Sequence, residues 1–306
     1  MAITLIENFR AVFYAPFYAT AALGAYEAEG MEVKMKMSAA ADKTLTTLTT
    51  GAGEVSWGGP LRIMAALDKD PKGGYVAFCE VVGRDPFFLL GRAPNPAFQL
   101  TDLIGKKLAT VSEVPTPWIC LQYDLRRAGI DPSAIERGPE RGMAENAAAL
   151  RAGEVDVIQV FQPYARNLTD EGAGHIWHAA AARGLTSYTT FNTTRSFIER
   201  DPDTVLHMTR AMHRTLKWIA AHGGRDLAEV IAPYLSDIPL PALAACCNDY
   251  KALGLWNRNP VMQREGLEWL RDAMLAAGYI RTPFAYEDCA DMRFAEQVVR
   301  EDPPSI

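Results

Sequence analysis

Apolar and polar positions fall in short blocks whose period switches between two and about 3.6 residues along the chain. Residues 3–6 form a brief apolar run closed by Glu7-Asn8, and an alanine-rich stretch then continues to Tyr26. Gly24 and Gly30 punctuate its exit, and residues 31–37 alternate Met-Glu-Val-Lys-Met-Lys-Met. This order predicts a strand, a loop, a helix over 11–26 and a second strand. A helix over 41–50, a strand over 54–57, a helix over 60–67 and a strand over 75–82 complete the first half. Helices alternating with short strands predict an open α/β sheet, whose ligands sit beyond the carboxyl ends of the strands.

The pattern changes between 85 and 96. An apolar run at 87–90 is bounded by Pro86 and by Pro94-Asn95-Pro96, which reads as a crossover into a second lobe. There, strands are expected over 108–111, 136–138 and 155–161, with helices over 118–128 and 144–151. Residues 186–191, rich in β-branched and aromatic side chains, would return the chain to the first lobe. From Asp201 onward Val205, Met208, Met212, Leu216 and Ile219 recur at helical spacing, and Pro233, Pro239 and Pro241 separate further helices. A helical tail packed on the first lobe is therefore expected. These boundaries give lobe I as 1–86 and 191–306, and lobe II as 87–190.

One internal echo supports two related lobes. Leu48 through Ser56 contains Gly53-Glu54-Val55 and is followed by Pro60; Leu150 through Asp156 contains Gly153-Glu154-Val155 and is followed by Pro163. Each copy is a helix end, a glycine turn and a strand start. Equivalent lobes would point the strand ends Trp57-Gly58-Gly59 and Phe161-Gln162-Pro163 into one cleft.

Composition narrows the partners. The 306 residues carry a formal net charge of −6, with 49% hydrophobic and 22% charged residues, as expected of a soluble globular protein. No basic stripe offers a footprint for nucleic acid, and no apolar stretch reaches the length of a membrane-spanning helix. Residues 11–26 imitate a signal peptide, but Glu7 cancels Arg10 and Pro16 interrupts the apolar region. Five cysteines without a C-x-x-C pair read as buried free thiols, which points towards a reducing compartment. His175 and His178 form an H-x-x-H pair lacking the cysteine or carboxylate partners of a zinc site. No metal or cofactor is expected. No G-x-S-x-G elbow, P-loop or dinucleotide fingerprint occurs, so no catalytic constellation is expected either.

A family becomes visible in particular stretches. Ile3-Thr-Leu-Ile-Glu-Asn8, Tyr14-Ala-Pro-Phe-Tyr-Ala19, Gly24-Ala-Tyr26 and Glu29-Gly-Met-Glu-Val33 resemble the start of mature sulfonate-, nitrate- and thiamine-pyrimidine-binding proteins of ABC importers. Asp102-Leu-Ile-Gly-Lys-Lys-Leu-Ala109, Leu150-Arg-Ala-Gly-Glu-Val-Asp156 and Phe161-Gln-Pro163 resemble their second lobe. The resemblance implies a type II periplasmic-binding-protein fold: two α/β lobes, each an open mixed sheet flanked by helices, joined by two crossover hinges and closing on ligand. It implies a monomeric solute-binding protein that delivers a small molecule to permease and ATPase subunits in the periplasm. The missing signal and free thiols keep a cytoplasmic alternative open. The same family contains an enzyme of thiamine-pyrimidine synthesis that consumes pyridoxal phosphate and its own first-lobe histidine. Here no histidine precedes His175, and Tyr14 stands where pyrimidine-binding relatives place theirs. A ligand sensor acting on another protein is a third reading.

The candidate ligand residues follow from these strand ends. Trp57 is a stacking wall or a core residue, and Gly58-Gly59 would bring bare backbone near a ligand. Asn8, Arg10, Phe13 and Tyr14 follow the first strand, where Arg10 either clamps an anion or remains a solvated surface charge. Ser112, Thr116 and Trp118 flank a helix start, where hydroxyls cap the helix or reach the ligand. Phe161, Gln162 and Tyr164 are the counterparts of the Trp57 group. Asp85 and Asn192 fall on the two expected crossovers, touching ligand or capping turns. An aromatic or heteroaromatic solute, or an anionic one, is the expected cargo.

Overall fold

In a computed structural model, residues 2–306 are described; Met1, the first residue of the expected lobe I, lies outside them, and so does the side chain of Ala41. Ten strands, β1 (Ile3–Glu7), β2 (Val33–Met37), β3 (Val55–Gly58), β4 (Tyr75–Val82), β5 (Phe88–Gly91), β6 (Lys107–Ala109), β7 (Glu136–Arg137), β8 (Val157–Val160), β9 (His175–Ala179) and β10 (Thr189–Thr194), form two sheets. Their orders are β2-β1-β3-β10-β4 and β7-β6-β8-β5-β9. Both sheets are mixed. β3 pairs parallel with β1 and antiparallel with β10, while β8 pairs parallel with β6 and antiparallel with β5. The two-lobed α/β architecture expected from the sequence is what the chain forms. The echoing strands β3 and β8 occupy the same central place in their sheets.

The chain leaves the first sheet after β4 and returns to it at β10. Residues 87–90, read from sequence as a crossover, are instead largely β5. β8 and β9 pair with both of its edges, and its apolar side chains are buried on the faces of the sheet. β9 had no expectation, since His175 to Ala179 lacks strand alternation. Asn192 was expected on a crossover and lies within β10, its Cα opposite Ser56.

Local chemistry sets the helix ends. The expected helix over 11–26 is broken into a 3-10 turn (Val12–Tyr14), a helix (Ala15–Ala22) and a single turn (Ala25–Ala28), because Gly24 takes a φ of 70° that only glycine adopts cheaply. The expected helix over 41–50 is likewise only two short turns, Ala41–Lys43 and Thr46–Thr49, as β-branched threonines serve helices poorly. The helix Pro202–Ala221 has Pro at its first position and Asp201 accepting from the Thr204 amide at 3.2 Å. Its Val205, Met208, Met212, Leu216 and Ile219 are buried, in the predicted stripe. The helix Leu240–Ala252 belongs to the same tail and places Asp249 and Tyr250 against the β8 end.

Candidate functional site

The parallel strands β1, β3 and β6 all end towards the junction of the two lobes, and the segments that follow them enclose a narrow cavity. Its walls are Asn8, Phe9, Phe13 and Tyr14 after β1, Gly59, Leu61 and Arg62 after β3, Val114, Pro115 and Thr116 after β6, and Tyr188 just before β10. The first sheet thus provides one wall and the second sheet the other. This is the position at which open α/β sheets bind ligands.

Arg62 dominates the electrostatics. It sits in the first turn of the helix Pro60–Lys69, whose start is fixed by Gly59-Pro60. Its Nη1 is sealed from solvent and has no hydrogen-bond partner. Among the described residues no carboxylate forms an ion pair with it. Burial lowers its proton affinity, offset in part by the phenols of Tyr14 and Tyr188. The residue as a whole is half-buried, so it is this one edge of the guanidinium that has lost hydration without gaining an acceptor, with Asp42 a more distant favourable charge. The polar surroundings are donors and neutral acceptors. Asn8 Nδ2 donates to Tyr14 Oη at 2.8 Å, leaving Asn8 Oδ1 buried and unpartnered. Burial pushes the Tyr14 phenol up to about 12, so it stays neutral. The Gly58 Cα packs against the Arg62 guanidinium: a Cβ there would lie 3.0 Å from Nη1 and 3.7 Å from Asn192 Nδ2. A side chain at 58 would crowd the arginine.

The aromatic wall is continuous. Phe13 meets Phe161 edge-on at 5.1 Å and Tyr188 at 5.9 Å, and Phe9 stacks on Phe161 at 6.1 Å.

Of the residues singled out from sequence, Asn8, Phe13, Tyr14, Gly59 and Thr116 line the cavity. The others stand elsewhere. Arg10 is half-exposed, pairing with Glu7 at 3.3 Å and donating to the Tyr234 carbonyl at 3.1 Å. Trp57 is fully buried and stacks on Phe17 at 4.8 Å, so its ring packs the core behind Tyr14. Gly58 accepts from Thr190 Oγ1 at 3.2 Å and from Asn192 Nδ2 at 3.3 Å. Ser112 is exposed, its amide donating to the Arg141 carbonyl, and Trp118 lies under the Arg137 guanidinium at 4.5 Å. Phe161 and half-buried Tyr164 stand behind the wall. Gln162 faces the tail: its amide donates to Tyr250 Oη and its Nε2 to Asp249 Oδ2, each at 3.0 Å. Asp85 does lie on the crossover after β4, where it caps the Phe87 amide and pairs with Arg183 at 2.6 Å. Arg183 also pairs with Asp124, so one buried arginine ties both crossovers to a lobe II helix.

Sequence reasoning missed Phe9, Leu61, Arg62, Val114, Pro115 and Tyr188. Arg62 had a usable signal, since it follows the Gly58-Gly59-Pro60 strand end at the start of a helix. Tyr188 and Val114 had none, because only the tertiary fold brings them to β3.

Comparison with known proteins places this geometry. A Bacillus subtilis (strain 168) protein named "Putative binding protein YtlA" is 25% identical over 304 residues, spanning 98% of this chain and 90% of that one. The periplasmic aliphatic sulphonate binding protein SsuA from Escherichia coli superposes with a TM-score of 0.75 at 15% identity, covering 94% of this chain and 96% of that chain. A mutant of the enzyme DSZB in complex with biphenyl-2-sulfinic acid superposes with a TM-score of 0.71 at 14% identity, covering 98% and 100%. At such identities the superpositions show the fold, which is that of two-lobed periplasmic binding proteins. A family model described as NMT1/THI5 like matches residues 12–224, well over half of the chain, and the protein belongs to the NMT1/THI5-like family.

Proposed function

We propose that this protein is the solute-binding component of an ABC importer and that it captures a small anion with an apolar or ring-bearing body in the cavity between its lobes. The observation that carries this reading is Arg62, whose Nη1 is buried and unpartnered and which forms no ion pair among the described residues. A ligand oxyanion supplies the missing charge and accepts the free donor; Thr116 and the Tyr14 and Tyr188 phenols stand around it. Phe9, Phe13 and Leu61 meet the body of the solute. A cationic ligand would face the same uncompensated arginine and be repelled.

The relative described as a binding protein and the fold neighbour that binds aliphatic sulphonates in the periplasm support capture and release, with permease and ATPase subunits as partners and the periplasm as the place of work. The cavity wall contains no histidine, lysine or cysteine to serve as nucleophile or cofactor anchor. The five cysteines are buried elsewhere, and burial pushes Cys246, Cys247 and Cys289 up to about 12. The narrowness of the cavity requires the lobes to part for entry.

Native mass spectrometry with a panel of small sulfonates, carboxylates and their neutral analogues tests this reading. Capture predicts one anion bound per chain and recovered with its mass unchanged. Turnover of the ligand, or a covalent change in the protein, would instead place this chain among the enzymes of the fold.

A further inference from the structure

Outside the ligand cavity, the most unusual polar group is Glu80, a carboxyl in the middle of β4 with 1% of its surface exposed. Its Oε2 accepts from Asn257 Nδ2 at 2.7 Å. Its Oε1 and the facing hydroxyl of Ser187 are both sealed from solvent and fall short of good hydrogen-bond geometry, although Ser187 and the Gln263 backbone stand close enough to pull on the carboxyl. No cation pairs with it among the described residues. The other titratable groups around it are Tyr286, whose ring carries the Arg264 guanidinium at 4.4 Å, and the neighbouring thiol Cys79.

The surroundings of Glu80 are the base of the hinge. Ser187 is on the return crossover and takes a φ of 46°, while Gly184 just before it takes 104°. The Thr186 amide donates to the Gly83 carbonyl and the Tyr188 amide to the Val82 carbonyl, each at 2.8 Å, so the two crossovers are stitched side by side. Asn257 packs on that seam so closely that a Cβ at Gly83 would come within 2.2 Å of its Oδ1. The pairing of β10 with β4 is irregular at Thr189/Thr190, and Thr190 is the residue opposite Glu80. Glu80, with its well-formed hydrogen bond from Asn257, thus lies beside a left-handed serine and an irregular strand pair.

We propose that Glu80 is a proton-operated catch on the hinge: the neutral carboxyl keeps the Ser187 crossover packed on the Asn257 loop, and loss of the proton to solvent loosens it so that the lobes part. A carboxylate buried this deeply is costly even with these donors and is relieved by hydration. Burial raises the Glu80 carboxyl to about 7 from its ordinary 4.5, against the pull of Ser187 and Asn257. The conformation with the raised value holds the proton more tightly, so acid favours the packed hinge and a rise in pH through about 7 disfavours it.

The proposal does not depend on the identity of the solute. It is tested on the ligand-free chain carrying spin labels at Lys36→Cys and Glu136→Cys, one on each lobe, with inter-lobe distances measured by electron–electron resonance between about pH 6 and about pH 8. The distance distribution is expected to shift with a midpoint near pH 7 and to lose that shift in Glu80→Gln. Ser187→Ala, which keeps the carboxyl but removes the hydroxyl that pulls its value down, is expected to hold the proton more tightly and to move the midpoint of the shift to higher pH. A parent distribution that does not move, or an unchanged shift in either variant, overturns the proposal.

Discussion

The ends of β3 and β8 begin from the same local sequence and the same place in their sheets, yet they do different things. After β3 the chain passes Gly58-Gly59-Pro60 into a helix whose first turn presents Arg62 to the inter-lobe cavity. After β8 it passes Phe161-Gln162-Pro163 into a helix whose start is plugged by the tail: Gln162 binds Asp249 and accepts from the Arg166 amide, while Tyr250 takes the Gln162 amide. The difference lies in what packs on each strand end. The tail helix Leu240–Ala252 places Asp249 and Tyr250 on the β8 end, whereas the segment after β3 lines the cavity between the lobes. Repeated local structure therefore supplies two equivalent platforms, and tertiary partners decide which of them stays open to a ligand.

That contrast breaks if the two ends respond alike to substitution. Arg62→Gln is expected to weaken anion binding by about 2 to 5 kcal/mol, at least about thirtyfold, as seen by isothermal titration. The same change should leave the unliganded protein about as stable as before, because it removes a half-buried charge that no ion pair among the described residues offsets. Gln162→Ala should do the reverse: a loss of about 1 to 3 kcal/mol in denaturant unfolding, with anion affinity kept. Tyr14→Phe removes the acceptor of a buried Asn8 amide at the edge of the cavity and should cost about 1 kcal/mol in stability. Arg10→Ala should change anion binding by less than about 0.5 kcal/mol and, because it leaves the buried Glu7 carboxyl without its partner, cost about 1 kcal/mol in stability. An effect of Arg10 as large as that of Arg62 would move the anion site to the surface.

The fold was legible because its elements are short and bounded by strong punctuation. Gly53-Glu54-Val55 and Gly153-Glu154-Val155 each announce a turn and a strand, and the helix Pro202–Ala221 repeats its apolar stripe for about four turns. What failed were places where local pattern and tertiary role part company. The apolar run of β5 looks the same whether it crosses between lobes or is buried between two strands. Trp57 looks like a pocket wall at a strand end, but the alternation of side chains across β3 turns it into the core against Phe17. Arg10 and Arg62 are both lone arginines after a strand. Only the packing shows that one reaches from the surface to the buried Glu7 while the other holds a sealed Nη1 with no hydrogen-bond partner. The Glu80 cluster was invisible for the same reason, since Ser187 and Asn257 come from distant segments.

The account turns on the charge of Arg62 meeting a charge on the solute. The most direct measurement is a four-corner titration in which the tightest-binding anion of the panel and its neutral isostere are each titrated against the parent and Arg62→Gln. The account predicts that the anion loses at least about thirtyfold in affinity in the variant while the neutral isostere binds weakly and equally to both, giving a coupling of about 2 kcal/mol or more. Equal losses for the charged and the neutral solute, or a neutral solute bound more tightly than any anion, would contradict it.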